Sequence, residues 1–189
     1  MSQLLTRPTA DSAHPAQPAP PPVGTTAAHR YYWVRIGFGL IWGIDATLKW
    51  LPGFRHHYAA MIADAAQGQP WWLGGWFTFW NRAVAHAPTT FAVVIALAET
   101  AICLSLILGL AQRIGFGFGI VFALLVWGVG EGFGGPYTSG ATDIGAAIMY
   151  AVTLAALWIA VPRAVRTAAP AADRRLARHP ALRWVTFHQ

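Results

Sequence analysis

The sequence predicts an all-α fold, a polytopic membrane four-helix bundle with interfacial helices between helix one and helix two. Three observations predict it. Charged residues are 11% of the 189-residue chain and hydrophobic ones 56%, where soluble domains carry roughly 25% charged residues, so a water-facing coat cannot be made from this composition. Four apolar runs, at about 31–51, 89–111, 114–132 and 142–162, match the roughly 20 residues that a helix needs to cross a bilayer. The few ionisable residues inside or at the ends of those runs fall where antiparallel helices can bring them together.

Taken in order, residues 1–30 are rich in Pro and Ala and hold no apolar stretch long enough for the core of a signal peptide, so they read as a disordered cytoplasmic tail. The transmembrane domain is expected over 31–162. Its first run carries Gly37, Gly39 and Gly43, and its third carries Gly115, Gly117 and Gly119. The latter string lacks the preceding strand of a dinucleotide site, and close helix packing through small residues explains it. Between the first two runs lies an outer segment of nearly forty residues with Trp71, Trp72, Trp76, Phe77, Phe79 and Trp80 close together. That aromatic density suits the headgroup zone and short interfacial helices. Such a segment serves as an anchor and lid, or as an entrance for a substrate or quinone. After the third run comes the link GVGEGFGGPYTSGATDIG, whose glycines and proline force irregular backbone beside two carboxylates.

The last stretch, 163–189, is a basic tail with six arginines between Arg163 and Arg183. With Arg7, Arg30 and Arg113 it falls on one side of an even-numbered bundle, against Arg55 and Arg82 on the other, which orients both termini to the cytoplasm. The formal net charge of +6 is therefore a topology signal at the lipid surface. The cations do not interleave with aromatics across a folded face, so no nucleic-acid partner is expected. Cys103 is the one cysteine, which excludes an intrachain disulfide framework. His56 and His57 are adjacent, His86 is far from both, and no histidine falls within the four runs, so neither a metal site nor a tightly bound cofactor is expected.

The site candidates are the membrane charges. Charge at the bilayer centre costs roughly 2.5–3.5 kcal/mol, so such groups face one another or a wet cavity. Asp45 and Lys49 are spaced to pair on one helix. Glu99 shares a small-residue face with Ala92, Ala96 and Cys103 and has no cation on its own helix. Glu131 closes the third run and Asp143 opens the fourth, where a carboxylate also suits the positive end of a helix and Thr142 can cap it. Arg35 lies near the cytoplasmic end of the first helix on the face of Trp42 and Lys49. Asp45, Glu99, Glu131 and Asp143 cannot all stay charged beside Lys49 in a low-dielectric pocket, so Glu99, Glu131 and Asp143 are the expected proton-exchanging, catalytic groups. Lys49, Asp45 and Arg35, with Trp127 and Tyr137 beside the Gly-rich link, are the expected substrate contacts. A shared outer cavity for Glu131, Asp143 and Lys49, covered by the Trp71–Trp80 segment, is the simplest arrangement. Buried hydrogen bonding that holds the helices in register competes with each of these roles.

The run RIGFGLIWGIDATLKW, with its arginine, spaced glycines and closing lysine, resembles the opening of DoxX-type membrane proteins. The long outer segment, the Glu99 helix and EGFGGPYTSGATDIG extend the likeness, the last resembling the DoxD-like branch named for the small subunit of thiosulfate:quinone oxidoreductase. The likeness covers roughly residues 31–162. It implies a four-helix membrane bundle that in some members works with a second protein subunit to pass electrons from thiosulfate to quinone, giving tetrathionate. It carries over no residue role. The expected function is thus a subunit of a quinone-linked oxidoreductase in the cell (inner or plasma) membrane, with quinone as a substrate. The alternative is a non-enzymatic membrane subunit or small-solute carrier, in which the same charges gate a path or dock a partner.

Overall fold

A computed structural model describes residues 23–137 and 143–161. The tail over 1–22, the basic tail over 163–189 and Thr142 lie outside the described residues. Among those described, every regular element is a helix: α1 (Val23–Trp50), α2 (Pro52–Ala65), α3 (Gly74–His86), α4 (Pro88–Leu108), α5 (Gln112–Val129) and α6 (Ala146–Ile159), with one-turn 3-10 segments at Trp71–Leu73 and Gly132–Gly134.

Proline and glycine set the boundaries. Pro52 and Pro88 stand in the first turns of α2 and α4, where the missing N–H costs nothing and the fixed φ suits a helix start. Gly109, in the left-handed region at φ 69°, ends α4 and bonds back to the Ser105 carbonyl, the usual glycine stop. The first helix begins earlier than expected. It takes in residues 23–30 of the stretch assigned to the disordered tail, because the proline run ends at Pro22 and the residues after it impose no break. In the other direction, α6 is 14 residues, shorter than the run over 142–162, because the irregular link continues through Gly145.

α1, α4, α5 and α6 share one apolar core in which Phe38, Trp42, Ile102, Leu106, Phe116, Ala123, Leu154 and Leu157 are buried. Small residues set the spacing of these antiparallel neighbours. A Cβ on Gly43 would meet Cys103 Sγ at 3.0 Å, one on Gly39 would meet Leu106 at 3.0 Å, and one on Gly119 would meet Leu154 at 2.7 Å. Gly37 departs from this pattern, since nothing lies within 4 Å of its Cβ position. Trp50 Nε1 also donates to Thr100 Oγ1 at 3.0 Å, tying the outer end of α1 to α4.

The outer segment forms two helices, α2 and α3, which pack on the bundle through Tyr58, Ile62 and Val84 against Ala92 and Val129. Two side chains fasten this cap to the end of α5. Gln69 donates to the carbonyls of Ala65 and Gly132, both at 3.0 Å, and Trp76 Nε1 donates to the Gly128 carbonyl at 2.9 Å.

α4 and α5 are long and apolar enough to cross a membrane. Their lengths, 21 and 18 residues, correspond to about 31 and about 27 Å at the helical rise. Only 28% and 33% of their most apolar windows are buried inside the protein, and Leu40, Ile44, Val94, Leu97, Val121 and Val152 point outward from all four bundle helices at more than half exposure.

Candidate functional site

Three expected charges, Lys49, Glu99 and Glu131, line the same cavities at the end of the bundle that α2 and α3 cover. Lys49, in the last turn of α1, pairs with Asp45 at 3.0 Å, both partly buried, as the spacing of four residues allows. Its ammonium also lies 5.2 Å from the Phe54 ring centre at the start of α2, a cation–π distance. Glu131, just past α5, accepts the Ala147 N–H through Oε1 at 3.2 Å and Oε2 at 3.0 Å. Its carboxylate thus closes the N-terminus of α6, where no local side chain caps the first turn, and an anion there meets the positive end of the helix dipole.

Glu99 differs from both. It is 2% exposed, and its Oε2 has no hydrogen-bond partner among the described residues. A buried polar atom without a partner costs about 1–3 kcal/mol, so this carboxyl is the unsatisfied member of the group.

Two cavities meet at Lys49, Glu99 and Glu131. The larger, about 410 Å³, is apolar and runs between α2, α4 and α5, with Tyr58, Ile62, Trp80, Ile95 and Phe122 in its walls. The smaller, about 130 Å³, is polar and adds Trp42, Asp45 and Tyr150, enough room for several waters among polar partners. Burial pushes the Tyr58 hydroxyl up to about 12, so α2 offers the larger cavity a neutral phenol at physiological pH. An acid at the junction of an apolar pocket and a polar chamber can hand a proton to a ligand on one side and be recharged from the other.

Other expected site residues lie elsewhere. Asp143 lines neither cavity. It is exposed, and its Oδ1 accepts the Gly145 N–H at 2.8 Å within the link, so the turn absorbs the carboxylate that was expected beside Lys49 and Glu131. Arg35 also lies apart. It is 3% exposed, with its guanidinium over the Tyr32 ring, and the fourteen residues to Lys49 correspond to about 21 Å along α1. The shared helix face is real, but the distance is too great for a common ligand. Trp127 and Tyr137 line a different outer cavity of about 450 Å³ with Pro70, Trp72 and Phe133. Their polar atoms are spent on the backbone, Trp127 Nε1 on the Ile144 carbonyl at 2.7 Å and the Tyr137 hydroxyl on the Phe133 carbonyl.

The aromatic segment divides as well. Trp71 and Trp72 turn outward at 91% and 66% exposure, while Trp80 enters the wall of the larger cavity. Tyr58, Ile62 and Trp80 were not singled out as site residues in the sequence; the density of aromatics around Trp80 was the signal available. No cluster of His, Cys, Asp and Glu suited to a metal ion occurs among the described residues.

Compared with known proteins, the chain matches no family model, no curated protein and no solved structure.

Proposed function

We propose that the chain is an integral membrane protein of the DoxX/DoxD-like type and the quinone-handling subunit of an oxidoreductase, with thiosulfate as the leading electron donor and a second protein subunit as partner. In this reading α1, α4, α5 and α6 cross the cell membrane, both termini are cytoplasmic, and α2 and α3 cap the outer end. The outward apolar faces support the membrane placement. A core helix of a soluble protein is mostly buried, whereas the apolar windows of α4 and α5 leave about two thirds of their residues only partly buried or exposed, and exposed apolar side chains on all four bundle helices call for lipid or a partner chain.

The observation that carries the functional reading is Glu99, a buried carboxyl with an unpartnered oxygen at the junction of the apolar and polar cavities. Reduction of a quinone takes two electrons and two protons, and its ring needs an apolar pocket. The bundle offers the pocket and the acid, and the partner subunit supplies the electrons. Glu99 exchanges the protons. Lys49, held by Asp45, faces a quinone oxygen, and Glu131 keeps the start of α6 beside them.

The experiment is purification in mild detergent, extraction and identification of bound quinone, and assay of quinone reduction with thiosulfate and related sulfur donors. Co-purified quinone with donor-dependent reduction is expected. A preparation free of quinone and inert with every donor, partner subunit included, removes the oxidoreductase reading in favour of a non-enzymatic membrane subunit or carrier.

A further inference from the structure

The larger cavity has features that the position of Glu99 alone does not explain. Besides Glu99, one more of its lining side chains ends in a buried polar atom with no hydrogen-bond partner among the described residues: Trp80, through indole Nε1. An indole N–H only donates, so what satisfies it must accept. Trp80 comes from α3 and packs against the cluster of Tyr58, Ile62, Val84, Ala92 and Val129. Glu99 lies seven residues beyond Ala92 on α4, about 10 Å by the helical rise, and Lys49 of α1 lines the same cavity. The pocket is therefore mostly apolar, with polar groups at the Trp80 indole, the Tyr58 hydroxyl and the set of Lys49, Glu99 and Glu131, and of these Trp80 and Glu99 hold the buried atoms that lack a partner among the described residues. It also has a side opening. Val94 of α4 and Phe118 of α5 line the cavity and yet are 55% and 47% exposed.

From this geometry we infer that the cavity binds a lipid-soluble dione lengthwise, one carbonyl oxygen accepting from Trp80 and the other facing Glu99 and Lys49, and that the molecule enters sideways between α4 and α5. The inference rests on the quinone reading and adds to it a binding residue and a route. Two acceptors held apart by a flat apolar ring suit two lining residues with unpartnered polar atoms, Trp80 and Glu99, and an alkyl tail leaves between Val94 and Phe118 toward the hydrocarbon. A fatty acid or a simple alcohol has one polar end and leaves one of the two residues unsatisfied.

The test is binding of a decyl-tailed benzoquinone to the full chain in mild detergent, measured by calorimetric titration beside decylbenzene, which has a ring and the same tail but no carbonyl. Trp80→Phe keeps a ring and removes the N–H. It is expected to weaken the benzoquinone about tenfold, or about 1.4 kcal/mol, and to leave decylbenzene unchanged. Ala98→Phe fills the α4 wall and is expected to abolish binding of both probes. Val94→Trp, at an exposed position that tolerates bulk, narrows the opening and is expected to weaken both even if the Ala98 variant fails to fold. Equal losses for the two probes in Trp80→Phe reduce the indole to packing and overturn the proposal, as do unchanged affinities in Val94→Trp. Wild-type quinone reduction with benzoquinone binding unaffected by Trp80→Phe overturns this site and leaves the function standing. Benzoquinone binding that depends on the Trp80 N–H without donor-driven reduction leaves the site standing and removes the function.

Discussion

Glu131 and Ala147 join the end of α5 to the start of α6, the carboxylate taking the backbone N–H through both oxygens at 3.2 and 3.0 Å. The two residues are sixteen apart in sequence, with the whole Gly-rich link between them. A carboxylate in this position does the work of an N-cap from a distance. Glu131→Ala is expected to lower stability by about 2 kcal/mol, read as a fall in melting temperature in detergent. Glu131→Gln, which retains one acceptor oxygen without the charge, should lose less. Equal stability of all three proteins would separate Glu131 from the start of α6.

Gly145 makes that contact possible. It sits at φ 92°, and a Cβ there would fall 2.4 Å from Glu131 Oε2 and 3.1 Å from the Trp127 ring. Gly145→Ala therefore combines backbone strain with a collision and is expected to cost roughly 1–3 kcal/mol or more. In the double variant Gly145→Ala with Glu131→Ala the collision with the carboxylate is gone, while the strain, the close approach to Trp127 and the lost cap remain, so the two single losses should add to more than the double variant shows. Simple additivity in the melting series would refute the steric part.

Glu99→Gln keeps the shape of the side chain and removes its capacity to exchange a proton. The fold should survive, and quinone turnover should fall by about 10²-fold, the usual share of a general acid or base. Full turnover in the Gln variant across the pH range of the wild type would leave Glu99 as a helix-packing residue.

The proposed topology puts residues 54–88 outside and both termini in the cytoplasm. Reporter fusions after His86 and at Gln189 should then report opposite compartments. The same compartment for both would require an even number of crossings between them and a new assignment of the apolar runs.

The bundle helices and the pairing of Asp45 with Lys49 were legible in the sequence, because long apolar runs and a spacing of four residues are local properties of the chain. That Lys49 and Glu131 share one end of the bundle follows from counting along antiparallel helices, whereas Glu99 was expected deeper and the shared cavity was drawn with Asp143 in its place; the structure has Glu99 lining both cavities beside Lys49 and Glu131. Asp143 was misplaced for a reason that counting cannot supply. Whether a carboxylate in an irregular link turns inward or bonds its own backbone depends on dihedral angles, and here the Gly145 N–H captures it. Arg35 was placed by the same counting near the other end of α1, and its inclusion among the substrate contacts rested on the helix face it shares with Trp42 and Lys49. The walls of the apolar cavity were hidden because α4 and α5 are apolar all round, so periodicity does not say which side faces in. Tyr58 and Trp80 entered only when α2 and α3 folded back over the bundle, a tertiary event with no local signature.

Gln69 and Trp76 tie the roof of the large cavity to the end of α5. Both hold α5 carbonyls or those just past its end, at Gly128 and Gly132, and Glu131 lies between those two residues. Lifting α3, and Trp80 with it, would pull on the same few peptide units that position the Glu131 carboxylate. The cap is thus a splint, and a ligand that arrived from above would have to disturb the acidic cluster before reaching it. A molecule sliding in from the flank meets no such resistance, and the polar ends of the pocket stay set while it moves.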